Sequence, residues 1–381
     1  MTKTEHEFVP GLAGVPAAKS AISYVDGSKG ILEYRGIPIE SLAEKSNFEE
    51  ICWLLLTGSM PTDAQLRGFR SHLVRHRLLP DKLVSIIEAM PGRGHPMDAL
   101  QASMAALGMF AKKPDFRDPG EVDEACARIL GATAPMVAAF DRLRNGKNLV
   151  AQDPELNTAA NFLHLLKGEP PDELSATIFD VALILHADHT MNASTFAARV
   201  VASTEADPYT VCSSAIGALH GPLHGGANER VLTQLEEIGS PENVSAWLDA
   251  KQASGGKVMG FGHRVYKVKD PRAKILQTLA TRIFEAQGHT PVYSTALELE
   301  RQMNERYGSK GIYPNVDFFS GFVYSKLGIP TDLFTPVFAI SRVAGYLSHW
   351  REQMQDNKIF RPRQVYVGDH DLTYPDLGSR K

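Results

Sequence analysis

The sequence predicts a large, nearly all-helical protein. Capping residues followed by amphipathic runs recur along its length. The segment Ile178–Leu185 (IFDVALIL) is apolar over most of its circumference, as a helix enclosed on all sides would be. The few strand signals do not alternate with helices, which argues against a parallel-sheet enzyme. At 381 residues, 43% hydrophobic and 22% charged, the chain can build two domains and a large core.

Taken in order, Ile22–Val25 and Ile31–Tyr34 flank the turn sequence DGSKG and predict an N-terminal hairpin. Ser46-Asn47 can cap a helix with Glu49 and Glu50 in its first turn, an apolar face of Phe48, Ile51, Leu54 and Leu55, and Gly58 at its end. Asp207-Pro208, Ser240-Pro241, Asp270-Pro271 and Thr335-Pro336 each pair a capping residue with proline at the first helical position. Gln364–Val367 (QVYV) reads as one more strand near the C-terminus. No repeat or composition shift marks a domain boundary, and the glycines near 225 and 328 are the candidate hinges.

Charge and composition narrow the function. A net charge of −4 gives no sign of a nucleic-acid partner. No apolar run reaches membrane-spanning length, and the opening MTKTEHEFVPGLAG lacks a secretory pattern, so a cytoplasmic location is expected. Cys52, Cys126 and Cys212 are far apart and odd in number, which reads as reduced, buried thiols.

Polar chemistry gathers in four places. In LHGPLHGGAN, His220 and His224 have the spacing of a helical zinc pair, but Gly221 and Pro222 end the helix between them. His224 is then presented from a tight glycine-lined loop, while His220 reads as an ordinary surface residue. HADHTMNAST places His186, Asp188 and His189 after the buried helix, with Asn192, Ser194 and Thr195 able to cap the next one. GFGHRVYKVKDPR carries His263 on a second glycine-rich turn, followed by Arg264, Lys267, Lys269 and Arg272. YPNVDFFSG sets Asp317 in the first turn of an apolar helix. His186, Asp188 and His189 are metal-ligand types, but HADH lacks the HExxH arrangement and no cysteine lies nearby, so no metal is expected. A carboxylate base, imidazole donors and carboxylate-clamping arginines account for all four clusters as acid/base chemistry on an anionic substrate.

The phrases GPLHGGAN, GFGHRVYKVKDPR, YPNVDFFSG, FAISRVAG and IFRP, in this order and at these separations, resemble the citrate synthase family. The opening GLAGVPAAKSAISYVDGSKGILEYRGIPIESLA is similar to that of its short bacterial members, and the likeness runs from about residue 9 to 368. It implies an all-α, two-domain fold with a small N-terminal hairpin. Residues 1–225 and 329–381 would form the large domain, and 226–328 a small domain that closes over the site. Acetyl-CoA and oxaloacetate would be the substrates, with no resident cofactor. The chain lacks the N-terminal extension of longer, NADH-inhibited members, so NADH control is not expected.

The resemblance also implies roles. Asp317 removes a methyl proton from acetyl-CoA, His224 donates to the thioester oxygen, and His263 polarises the ketone of oxaloacetate. His189, Arg272 and Arg342 bind oxaloacetate, with Arg361 reaching in from the partner of an obligate homodimer, and higher oligomers are allowed. Asn315 and Phe338 line the site. Ser194 matches a position whose backbone carbonyl orients the first catalytic histidine. Backbone from Lys257, Val258 and Met259 to Gly260 would meet the adenine of CoA, and Lys267 a phosphate. Within the family, 2-methylcitrate synthase acting on propionyl-CoA is the alternative; a non-catalytic helical assembly protein or a zinc hydrolase are the distant ones.

Overall fold

The computed structural model describes residues 8–380; Met1–Glu7, part of the opening stretch read as free of a secretory pattern, and Lys381 lie outside the described residues. Three strands, β1 (Ser23–Asp26), β2 (Ile31–Tyr34) and β3 (Ile37–Pro38), form one small antiparallel sheet in the order β1-β2-β3. Ser23 pairs with Tyr34 and Asp26 with Ile31, so the predicted hairpin is present, with a third short strand the sequence reading missed.

Sixteen α-helices follow among the described residues. The first eight are α1 (Ile39–Lys45), α2 (Phe48–Thr57), α3 (Asp63–His76), α4 (Asp81–Glu88), α5 (Pro96–Phe110), α6 (Pro119–Arg144), α7 (Thr158–Lys167) and α8 (Glu173–His186). The rest are α9 (Ala193–Ala202), α10 (Pro208–His220), α11 (Ala227–Ile238), α12 (Val244–Ala253), α13 (Pro271–Gln287), α14 (Pro291–Tyr307), α15 (Val316–Lys326) and α16 (Phe334–Gln355).

Local chemistry sets most boundaries. Asn47 and Glu50 form a reciprocal capping box at the start of α2, and Gly58 ends it in the left-handed region with φ of 91°. Asp207 and Asp270 cap α10 and α13 ahead of proline, as expected. Ser240-Pro241 instead opens a single 3-10 turn, Pro241–Asn243, with no side-chain cap bond, and α12 begins only at Val244. Thr335-Pro336 lies inside the first turn of α16, which starts at Phe334, and the Thr335 hydroxyl turns to the Gly225 carbonyl and to Glu229. Residues 364–367 are irregular, with Val365 and Tyr366 exposed; β propensity without a neighbouring strand has nothing to hydrogen-bond to.

The core is built around α16 and α8. Residues 333–350 are buried without a break, and α16 packs against α2, α6, α8, α9 and α10. The expected core helix is real: residues 178–186 are buried throughout α8. Helices α11–α15 pack mainly on one another, α13 and α11 on α15 and α12 on α14, while α13 also touches α1 and α8. All three cysteines are free and buried. No described helix is long and apolar enough to cross a membrane. The motifs that carry His189, His224, His263, Asp317 and Arg342 converge where the end of α8, the N-termini of α9, α13 and α15, the α10–α11 loop and the buried face of α16 come together.

Candidate active site

Helix α10 stops at His220 because Gly221 takes an extended backbone (φ −54°, ψ 136°) ahead of Pro222. The loop folds back on itself: the N–H of His224 donates to Gly221 O at 2.8 Å, and that of Gly225 to Leu219 O at 2.9 Å. A Cβ on Gly225 would lie 2.5 Å from Leu219 O, so only glycine lets the loop close. His224 therefore projects away from His220, which pairs with Asp98 (3.1 Å) and stacks on His95.

Nε2 of His224 faces the start of α9. The backbone N–H of Ser194 donates to it at 3.3 Å, and the Ser194 hydroxyl lies 2.7 Å away. That hydroxyl also accepts from Tyr346 and reaches Oδ1 of Asn192, the residue that caps α9. Nε2 also lies 3.2 Å from Oδ1 of Asn192; in the tautomer that accepts from the Ser194 amide, Nε2 holds a lone pair and the ring proton sits on Nδ1. The resemblance had assigned the Ser194 carbonyl to this task; the geometry gives it to the amide and the hydroxyl. Burial, reinforced by the charge of Arg342, lowers the His224 pKa to about 4. At neutral pH His224 is an uncharged donor through Nδ1.

His263 is set the opposite way round. Its Nδ1 accepts from the backbone N–H groups of Val265 (3.0 Å) and Tyr266 (3.3 Å), which leaves the proton on Nε2. Burial, then Arg272, lowers its pKa to about 4 as well. His189 and Tyr266 pack against it, with ring centroids 5.4 and 4.8 Å from that of His263, and Nε2 of His189 lies 3.1 Å from the Tyr266 hydroxyl. Burial first, then Arg272 and His263, hold His189 well below the ordinary imidazole value.

Asp317 sits in the first turn of α15. Asn315 caps that helix, its Oδ1 accepting from the N–H groups of Asp317 (3.0 Å) and Phe318 (3.4 Å), while its Nδ2 donates to Gly262 O at 3.0 Å. Backbone bonds from Asn315 to Gly260 and from Gly262 to Tyr313, with a bridge between Phe261 and Pro314, stitch the His263 loop to the start of α15. Asn315 thus fixes Asp317 relative to His263. Among the described residues no group donates a hydrogen bond to the Asp317 carboxylate. Burial raises its pKa to about 6, the charge of Arg272 partly opposing this.

The two buried arginines are held by one edge each. Arg272 makes a bidentate pair with Asp270 through Nε (3.1 Å) and Nη2 (2.7 Å). Arg342 donates from Nε to His186 O at 2.6 Å and lies 4.5 Å over the Phe338 ring. Both keep guanidinium nitrogens for an anion. Phe338 in turn sets its ring edge-on against His186, centroids 4.7 Å apart, so its place is a wall behind the arginines. The charge of Arg342 is felt at His189, His224 and Asp317, which ties the four side chains to one site. The N-termini of α9, α13 and α15 add partial positive charge around it.

Arg361 is elsewhere. It is exposed, and the preceding Phe360 is pinned by the Ser203 hydroxyl (3.1 Å) and by the Phe196 ring. Ser203 is at the far end of α9 from Ser194, on the order of 13 Å along the helix axis. The run assigned to adenine is only partly open. Met259 uses its N–H and carbonyl on Gln234, and the Gly260 carbonyl accepts from Asn315, which leaves Lys257 and Val258. The side chain of Lys267 is exposed. Asp270, Tyr266 and Tyr346 were missed as site residues; only Asp270, read as a helix cap, carried a signal.

The family model for the citrate synthase C-terminal domain matches residues 11–363, a span that holds every site residue named above. The chain belongs to the citrate synthase family. It is 54% identical to the citrate synthase of Synechocystis sp. over 99% of this chain and 95% of that protein. It is 46% identical to the citrate synthase of Acidithiobacillus ferridurans over 99% of both. Its fold matches the citrate synthase of Pyrobaculum aerophilum with a TM-score of 0.91 at 39% identity, over 98% of this chain and 95% of the other. A citrate synthase of Thermoplasma acidophilum, solved as a ternary complex with carboxymethyl coenzyme A and oxaloacetate, matches with a TM-score of 0.93 at 34% identity, over 98% and 100%. The all-helical class with a minimal sheet is thus that of solved citrate synthases.

Proposed function

We propose that the chain condenses acetyl-CoA with oxaloacetate and water to give citrate and free CoA. The observation that carries this is the pair of oppositely locked neutral imidazoles. Backbone amides occupy Nε2 of His224 and Nδ1 of His263, so each ring offers one N–H from a neutral state, beside a carboxylate poised near neutrality.

A thioester methyl is a very weak carbon acid. Asp317 takes its proton as Nδ1–H of His224 donates to the thioester oxygen, so the developing charge meets a preorganised donor. Nε2–H of His263 polarises the ketone of oxaloacetate, whose carboxylates are held by Arg272, Arg342 and His189. The enolate carbon attacks the ketone carbon as its own oxygen returns to a carbonyl. The ketone oxygen takes the Nε2 proton of His263, which the proton held by Asp317 makes good through water, and citryl-CoA forms. Water then adds to the thioester carbon, its hydroxyl staying on the acyl group as CoA leaves with the proton as the thiol. Lys257, Val258 and Lys267 would meet CoA. Every step uses side chains, backbone amides and water, with no resident cofactor.

The same reading places the activity in a cytoplasmic homodimer. Residues 226–328 close over the remainder, and Arg361 completes the partner's oxaloacetate site. The exposure of Arg361 at the far end of α9 supports the last point. Relatives named citrate synthase favour acetyl-CoA over propionyl-CoA. Steady-state thiol release with each thioester, with product identified by mass, tests the choice. Citrate formation with the higher kcat/KM for acetyl-CoA supports it, and a preference for propionyl-CoA reverses it.

A further inference from the structure

The turn between β1 and β2 meets the loop that carries His263. The N–H of Lys267 donates to Gly27 O at 2.8 Å. A Cβ on Gly27 would lie 2.0 Å from Val265 O and 2.6 Å from Val265 C, distances no side chain tolerates. Gly27 is outside the left-handed region, so its own backbone does not require glycine. Gly30 repeats the approach, a Cβ there lying 2.9 Å from Cγ2 of Val268, although its φ of 68° suits glycine anyway.

The base of the same hairpin is fastened to the His189 loop. The Ser23 hydroxyl binds the carboxylate of Asp188 and accepts from the N–H of Thr190 at 3.0 Å. The Tyr34 hydroxyl donates to Asp188 O at 3.0 Å. One rigid ribbon therefore touches both loops whose histidines face oxaloacetate in the proposed reaction. The residues it grips, Val265 to Lys267, include the two whose amides fix the tautomer of His263.

We infer that the hairpin tip is a latch, with Gly27 the positioning residue that seats the His263 loop over bound oxaloacetate. The inference rests on the reading of this site as one for oxaloacetate. Gly27→Ala leaves the hairpin free to form but denies the loop its seat. A misplacement of about 1 Å at a catalytic group costs on the order of 10²-fold.

The test is steady-state kinetics of Gly27→Ala beside wild type and the exposed-tip control Lys29→Ala, with melting temperatures taken with and without oxaloacetate. The expected result is a fall of roughly 10- to 100-fold in kcat/KM for oxaloacetate. The ligand-free melting temperature stays unchanged, the stabilisation by oxaloacetate shrinks, and Lys29→Ala behaves as wild type. Wild-type kinetics in folded Gly27→Ala overturn the latch. So does a fall in activity matched by a fall in ligand-free stability, which marks the glycine as structural only. If Gly27→Ala does not fold, Val268→Ala loosens the neighbouring Gly30 contact of the same hairpin tip and must lower the same kcat/KM by about 2- to 10-fold, the worth of two exposed methyls; no change there overturns the latch as well. A wild-type chain without oxaloacetate-dependent thiol release refutes the reaction itself, a different result from an active wild type with an indifferent Gly27→Ala.

Discussion

The backbone N–H of Ser194 points at Nε2 of His224 across 3.3 Å, and a ring that accepts from it carries its proton on Nδ1. With Val265 and Tyr266 doing the reverse at His263, both histidines enter the reaction neutral. Their pKa values near 4 mean that neither titrates in the range where Asp317, near 6, changes charge.

The acid limb of the pH profile should therefore belong to Asp317. Its basic form grows as pH rises through about 6, so kcat/KM for acetyl-CoA should climb with unit slope below that value and level off above it. Measurement of kcat/KM from pH 5 to 8 checks this. A profile that instead falls as pH rises through the same range would mean that a protonated histidine, and not an ionised aspartate, is required.

Stability should move against activity at the same residue. A carboxyl whose pKa is raised by folding releases its proton more readily when unfolded. The native state is therefore penalised once pH passes the unfolded value near 3.8, and the penalty is complete above about 6. Asp317→Asn should accordingly be more stable than wild type at pH 8, by on the order of 3 kcal/mol, with the difference vanishing toward pH 4. Urea titrations at the two pH values report it, and equal or lower stability of the variant at pH 8 contradicts the environment described for Asp317.

Asp270 should matter through Arg272. Removing it leaves a buried guanidinium without its partner, so Asp270→Ala should lose about 3–5 kcal/mol of stability and raise KM for oxaloacetate. Arg272→Lys should not rescue binding, because a single ammonium cannot hold Asp270 and a substrate carboxylate in the same fork. Wild-type KM in either folded variant speaks against the clamp.

Arg361 and Asp317 should complement each other across a dimer. Co-expressed Arg361→Ala and Asp317→Ala chains pair randomly, about half as mixed dimers with one intact site, so the mixture should regain about a quarter of wild-type activity although each parent is nearly inactive. A mixture no more active than its parents, with mixed dimers seen by native mass spectrometry, places Arg361 in its own chain's site.

Much of this was legible in residue order alone. Caps such as Asn47 and Asp270, and the unbroken apolar run of α8, announce helices because the signal lies within one or two turns. His224 and His263 stood out because glycines frame them and Asp317 because an apolar helix start surrounds it, while their roles came from the resemblance. What escaped depends on contacts distant in sequence. The tautomer of His224 is set by Ser194 thirty residues earlier, and Asn315 binds Gly262 from fifty-three residues away. Thr335 was read as a cap because Pro336 follows it, yet the buried packing of α16 carries the helix two residues further back. The strand predicted at 364–367 had propensity but no partner, and pairing is not written in one segment.

Thiol release from acetyl-CoA bears most directly on the proposed chemistry, followed with and without oxaloacetate in the presence of EDTA, for wild type and for Asp317→Asn. Release should require oxaloacetate, persist under chelation, and fall by about 10²- to 10⁴-fold in the variant. Release that ignores oxaloacetate, that vanishes in EDTA and returns with zinc, or that is undiminished in Asp317→Asn contradicts a metal-free condensation with Asp317 as its base.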